Sequence, residues 1–573
     1  MGRKDAQNAK CGAPTCRAFA GNGVPDIFRR HSAELYRLVL LGWVILRVAI
    51  IGYIARMEGV SIMSHTTIKD IYAGMPDAKD EISTNQIGAF LGSFVVPPEL
   101  PIDSLLKGQK FLISGYKGVG KTSVLYYLQN EVQNRDASAC TSFIYFKSDF
   151  EEVRKSNLDA VAKKLTALID VSGEIQTNKI EFLHIWRWVF FKKIVDDSIE
   201  KNHGLFKQDD DWNKFEKAVN QISFSSREKH VISLSSLSVS VQASPSAGVS
   251  AGVKASFNKE IAKSNEAFRN LVDIVDKCEE LFQKLTPSET PYYIFVDEME
   301  AYYGDVELLK RDLTLIRDML FTIHRINNYR KVHIIAAIRN EITFAMDRFI
   351  QTNELNKITD GFSVPIRWTY SNTNSYNHPI IQILMKRIAI ASNDPSPKFH
   401  QWFPAKVNNK DTANYILDNG WNKPRDIVRL LIAAQNDSLH CNDTAFTQAA
   451  FDSLRKEYSK NSLTEIRQEL QSLYSSEEIE MVVRLVRGGQ RFTTAEEIRK
   501  RAPKGSRARA FWDERQDDIL EDFYRVGFWG NVNRSSEQYS WRWNHKGDTG
   551  VLYENGWELA IHPALYSELS IFR

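Results

Sequence analysis

The run Gly115-Tyr-Lys-Gly-Val-Gly-Lys121-Thr122-Ser123 has the residue types and spacing of a phosphate-binding loop, G-x-x-x-x-G-K-[ST]. Gly115, Gly118 and Gly120 let the backbone curl until successive N–H groups face inward around phosphate oxygens, with Lys117, Val119 and Ser123 completing the cradle. Lys121 is the candidate bridge to the terminal phosphates, and the Thr122 hydroxyl is a candidate Mg²⁺ ligand. Such a loop only binds; hydrolysis needs a further carboxylate. Asp297 and Glu298 end the apolar run Tyr292–Val296, where Asp297 is expected to hold Mg²⁺ through water and Glu298 to polarise the attacking water as general base. Glu300 is a competing base, and the plainer alternative is that the acidic pair merely opens a loop. After the next apolar run, Val332–Ile338, stand Arg339 and Asn340, either of which could sense the terminal phosphate; alternatively, Asn340 caps a helix beginning near Glu341.

These side chains need a parallel sheet to position them. Lys110–Ser114 reads as a buried strand leading into the loop, and Val124, Leu125, Leu128 and Val132 recur behind it at helical spacing. The helix starting near Lys121 would point its positive dipole end at the same anion. Between the loop and Asp297 lie the apolar run Phe143–Phe146 and helical patterns at Leu158–Leu168 and Phe182–Ile199. That segment predicts an extra strand between the loop strand and the Asp297 strand. No guanine-reading N-K-x-D signature follows the sheet, so ATP is expected rather than GTP.

Composition bounds the rest. At 573 residues the chain predicts about three or four domains, and 74 basic against 71 acidic residues give a net charge of only +3. A general nucleic-acid coat is excluded, because that affinity comes from neutralising phosphates; any such contact needs a local patch. Only Cys11 and Cys16 of the five cysteines are close, so neither a zinc site nor a disulfide framework is expected, and a reduced, cytoplasmic setting fits. Residues 38–55 form an apolar run with Arg47 at its centre: a dispensable or over-extended start, a membrane anchor, or a buried or interfacial helix. The expected organisation is an N-terminal extension over 1–62, an ATPase core over 63–368, a helical lid over 369–462 and a winged-helix-like domain over 463–573. Within the core, Val231–Phe257 alternates apolar residues with serine, predicting a strand or hairpin in an insertion at about 222–258, or else a flexible loop.

In the lid, Pro424 starts a helix and Arg425 stands at its N-terminal end against the dipole, which points to a phosphate-reaching arginine or to an ion pair with Asp426 or another acid. The C-terminal domain reads as three helices and a β-ribbon. Its third helix is acidic (Asp513, Glu514, Asp517, Asp518, Glu521, Asp522), so major-groove reading by it is not expected. Arg499, Lys500, Arg501, Lys504, Arg507 and Arg509 form a basic run that could contact a nucleic-acid backbone, pair with that acidic helix or lie solvated.

The run Tyr72–Glu81 (YAGMPDAKDE), with GYKGVGKTS, FVDEME, KPRDIVRLL and WELAIHPAL, resembles a group of little-characterised bacterial P-loop ATPases, from about Ile71 to the C-terminus. The early insertion and the glutamate after Asp297 resemble the AAA+ and STAND subclass. The resemblance implies an α/β P-loop NTPase core with a parallel sheet flanked by helices, a helical lid and a winged-helix tail, using ATP and Mg²⁺. It implies no established substrate; bacterial defence or stress signalling is a setting by analogy. Three functions follow as expectations: an ATP-driven switch or assembly ATPase with a homo-oligomeric or protein client, a nucleic-acid-dependent ATPase or loader, and a non-hydrolysing nucleotide-gated scaffold.

Overall fold

The computed structural model describes residues 66–572 except 85–86, 171–181, 202–203, 225–231, 234–250, 351–354, 369–373, 536–538 and 549–556. The apolar run at 38–55 therefore lies outside the described residues, as does most of the serine-rich insertion. Thr66–Arg573 makes one compact unit. Among the described residues no helix is long and apolar enough to cross a membrane.

Five parallel strands form the central sheet: β1 (Leu112–Gly115), β2 (Cys140–Tyr145), β3 (Tyr292–Met299), β4 (His333–Arg339) and β5 (Ser363–Pro365), in spatial order β2-β3-β4-β1-β5. Alternation along the strands divides the core. Ile113, Phe295, Ile335 and Ala337 join one apolar cluster, while Leu112, Ile294, Val296, Ile334, Ala336 and Ile338 join another. Helices cover both faces, so strand runs such as Tyr292–Val296 are apolar throughout, as a doubly covered parallel sheet requires. This is the P-loop NTPase fold. The extra strand sits differently from the sequence expectation: β2 is at the edge, and β4 lies between β1 and β3. Arg339 at the tip of β4 consequently pairs in register with Gly115 at the tip of β1.

The insertion is only partly the strand or hairpin expected. Ile232–Ser233 pairs with Ile222–Ser223 in parallel, whereas a hairpin would pair antiparallel. Ala251–Phe257 instead opens a helix that runs to Lys284, because its apolar residues continue at helical rather than alternating spacing.

Beyond the sheet, helices Pro379–Ser392, Pro424–Gln435 and Gln448–Leu470 share the first cluster with the sheet and with the chain's C-terminal residues. Gln448–Leu470 is continuous across the boundary expected at 462–463. Ser476–Val486, Ala495–Arg501 and Arg507–Arg525 follow, the first two opened by capping boxes from Ser475 and Thr494. They pack beside an antiparallel sheet of β6 (Phe492–Thr493), β7 (Trp529–Asn533), β8 (Ser540–Arg542) and β9 (Trp557–Ile561), in the order β6-β9-β7-β8.

Candidate active site

β1 delivers Gly115 to the top of the sheet, and the loop returns through Gly118 and Gly120 at φ of +80° and +90°, where a side chain would strain the backbone. The following helix begins at Lys121, so its unpaired N–H groups face the loop. Trp368 Nε1 donates to the Val119 carbonyl at 3.0 Å, bracing the loop from behind. Lys121 is buried, and its Nζ donates to the carbonyls of Gly115 and Tyr116, each at 2.9 Å. Burial pushes its pKa down to about 7.

A phosphate in the loop would restore the charge on Lys121, so ATP binding is expected to take up a proton in a pH-dependent way. At about pH 6 the free amine is already protonated and uptake should be small; by about pH 8 it is mostly neutral and uptake should approach one proton. Calorimetric titration of a non-hydrolysable ATP analogue in buffers of different ionisation enthalpy reads this directly. The difference should vanish in Lys121→Arg, whose guanidinium stays charged; equal uptake at both pH values in the unmodified protein would contradict it.

β3 does not stop before the acidic pair. It continues to Met299, with a register irregularity between Val296 and Met299, so Asp297 and Glu298 belong to the strand instead of opening a loop. Asp297 is buried, accepts a hydrogen bond from the Thr122 hydroxyl, and its burial raises the carboxyl pKa. Its Oδ2 has no hydrogen-bond partner. A buried carboxylate with an open oxygen beside a threonine hydroxyl fits Mg²⁺, which takes one or two carboxylates together with phosphate oxygens. Among the described residues no group of three or more His, Cys, Asp or Glu could hold a metal without such help.

Glu298 has φ +57°, a left-handed conformation that costs about 1–2 kcal/mol for a residue with a Cβ. Its carboxylate is held on both sides. Lys79 Nζ approaches at 2.7 Å while lying 3.8 Å from the Tyr145 ring centroid, and Ser148 donates through its backbone N–H at 3.1 Å and through its hydroxyl. Glu300 pairs with Arg339 and, at 3.0 Å, with Lys147. Arg339 faces the cleft, whereas Asn340 hydrogen-bonds Tyr116 and lines a separate cavity of 330 Å³ behind the loop with Gly115, Val119 and Arg525. Asn340 is the first residue of its helix (Asn340–Phe349), not the cap; Arg339 holds the cap position.

Arg425 comes to the loop. Its backbone N–H donates to the Gly118 carbonyl at 3.4 Å, and its guanidinium reaches Glu465 at 3.2 Å and the Pro76 carbonyl at 2.9 Å. The ion-pair alternative is thus met by Glu465 and not by Asp426, which accepts the backbone N–H groups of Trp421 and Lys423. Lys423 pairs with Glu469 at 3.0 Å, and Arg429 with Glu465. Burial holds Glu469 above the usual carboxylate range; Arg429, Arg425 and Lys423 outweigh burial at Glu465 and hold it below. A Cβ built on Gly118 would lie 3.0 Å from both Arg425 Cβ and Glu465 Oε1, so glycine is needed for space as well as for φ.

One cleft therefore gathers Lys117, Gly118, Gly120, Lys121, Thr122, Ser123, Asp297, Glu298, Arg339 and Arg425, walled by Met75–Lys79. The sequence reading missed Lys79, Ser148, Lys423, Glu465 and Glu469. Lys79 and Lys423 lie within the runs Tyr72–Glu81 and KPRDIVRLL but were given no role there, and Glu465 and Glu469 are two acids one helical turn apart.

Five of the six residues of the basic run have partners within the protein. Arg499 and Arg509 both bind Asp513, at 2.6 and 3.1 Å; Arg507 binds Glu477 at 2.6 Å; and Lys500 lies 3.9 Å from Glu496. Arg501 donates to the carbonyls of Val486 and Arg487, while Lys504 is exposed. Pairing with the acidic helix, one of the expected alternatives, is the arrangement present for Arg499; that helix begins at Arg507, so Arg509 pairs with Asp513 within it.

A family profile described as the FunZ-associated C-terminal helical domain matches residues 379–467, the stretch carrying Arg425 and Glu465. No curated protein matches the chain. A solved structure of the Aeropyrum pernix Orc1 protein in complex with DNA aligns over 83% of this chain and 93% of that one, at 14% identity and a TM-score of 0.33, a likeness too loose to transfer residue roles.

Proposed function

We propose that this protein binds ATP with Mg²⁺ in the cleft between the phosphate loop and the helices of 379–470, and hydrolyses it to drive a conformational change. The observation that carries this reading is the meeting of Lys121, Thr122, the open oxygen of Asp297 and Glu298 at one end of the sheet, with Arg425 against the loop. The loop amides and Lys121 would hold the phosphates. Thr122 and Asp297 would hold Mg²⁺, which neutralises charge on the phosphates. Glu298 would take the proton from the attacking water, and Arg339 and Arg425 would respond to the terminal phosphate. Because Arg425 also contacts Pro76 and Glu465, a phosphate that draws its guanidinium would loosen both contacts. The client is a further protein or other copies of this chain.

Hydrogen exchange with a non-hydrolysable ATP analogue and with ADP tests the switch. The two nucleotides should protect Met75–Glu81 and the start of the Pro424–Gln435 helix differently; identical protection would remove the conformational part of the proposal.

Lys79 gives a second expectation. It neutralises Glu298 in a half-exposed pair worth on the order of 1 kcal/mol. Lys79→Ala should therefore raise steady-state ATP turnover about fivefold. A fall in turnover would show instead that Lys79 positions the base.

A further inference from the structure

The outward face of the C-terminal sheet carries aromatic rings that no described element covers. Val532, Trp543 and Ala560 form a small cluster separate from both main cores, with Phe492 packed on it. Above them Tyr539 and Trp541 stand 43% and 46% exposed, on and beside an edge strand whose every residue is exposed. Trp541 lies 5.7 Å from Phe492 and 6.4 Å from Tyr539 between centroids. Two arginines frame the Phe492 ring, Arg491 and Arg534, at 4.5 and 4.7 Å from its centroid; Arg542, in register with Asn531, lies over Trp557 on the other face of the sheet. Arg534 is paired with Glu558. Arg491 has no ion-pair partner among the described residues, in contrast to the Arg499–Arg509 run, where Arg499, Arg507 and Arg509 are matched by acids.

We propose that this face binds single-stranded nucleic acid, with bases stacking on Trp541 and Tyr539 and phosphates meeting Arg491. The chemistry favours that occupant. Exposed rings offer π-faces to any unpaired base, whereas the bases of a duplex are already stacked on one another. The unpaired Arg491 guanidinium beside the rings supplies charge that a phosphate backbone needs and that an apolar protein segment would leave uncompensated. The net charge of +3 is no obstacle, because the surface is local.

The test is fluorescence anisotropy of a labelled mixed-sequence 20-nucleotide DNA with the full chain, without ATP, at about 50 mM salt. The readout does not depend on hydrolysis, so it fails or succeeds separately from the ATPase reading. Trp541→Ala and Tyr539→Ala should each weaken binding about five- to a hundredfold, with Trp541→Phe retaining most of it. Arg507→Ala should stay within about twofold of the unmodified protein. Melting temperatures should fall only slightly, since both aromatic side chains are about half exposed, and Trp541→Phe should restore them. No binding at low salt, or binding indifferent to Trp541 but lost with Arg507→Ala, would overturn the proposal. So would Trp541→Ala abolishing self-association of the chain while leaving DNA affinity intact, which would assign the face to a second copy.

Discussion

Glu298→Gln is expected to leave ATP binding nearly intact and to slow hydrolysis by about 10²–10⁴-fold. The glutamine keeps the size of the side chain and can still meet Ser148, but it cannot accept a proton from water. The backbone at Glu298 is already in the left-handed region, held there by the strand irregularity before Met299, so an isosteric change leaves that geometry in place. The two competing acids make the comparison informative. Glu300 is engaged by Arg339 and Lys147 as Glu298 is by Lys79 and Ser148, and Asp297 is buried against Thr122, so Glu300→Gln is the matched control. Single-turnover hydrolysis alongside equilibrium binding of a fluorescent ATP analogue checks both halves. If Glu300→Gln instead proved the more damaging change, the base would have to be reassigned.

Lys121→Ala is expected to weaken ATP binding by about 10²–10³-fold, the loss that follows removal of one partner from a buried charged contact. Lys121 is buried at the floor of the cleft, where little water can take over its role with the phosphates. Part of the effect would come from the loop itself, since Lys121 also ties together the carbonyls of Gly115 and Tyr116. Lys121→Met separates the two contributions, because it keeps the length and apolar stem but neither charge nor donor. Both variants should lose affinity alike if phosphate contact dominates. A Met variant near full affinity would mean that the lysine only shapes the loop.

The sequence was most legible where the chemistry is local. The loop from Gly115 to Ser123, its strand and its helix follow from spacing alone, because the glycines and the helix start lie within a few residues. The Asp297 strand was legible as an apolar run, but its continuation to Met299 was not, since the turned backbone of Glu298 is a property of pairing with β4. Sheet order was likewise hidden: β4 inserts beside β1 only because chain segments far apart in sequence pack together. Lys79 and Ser148 were invisible for the same reason, since they reach Glu298 from 219 and 150 residues away. The ribbon strands near Tyr539–Trp543 and Trp557–Ile561 were legible, but the strand Trp529–Asn533 between the third helix and the ribbon was not, because Gly530 and two asparagines hide its alternation; it survives on pairing with β8 and β9.

The most direct test of the account is steady-state release of phosphate from ATP by the full chain with Mg²⁺, run beside Glu298→Gln and Lys121→Ala. The account predicts turnover in the unmodified protein that EDTA and both substitutions abolish, with Glu298→Gln alone still binding ATP tightly. Turnover that persists in Glu298→Gln, or ATP bound by the unmodified protein with no hydrolysis in the presence of Mg²⁺, would contradict it.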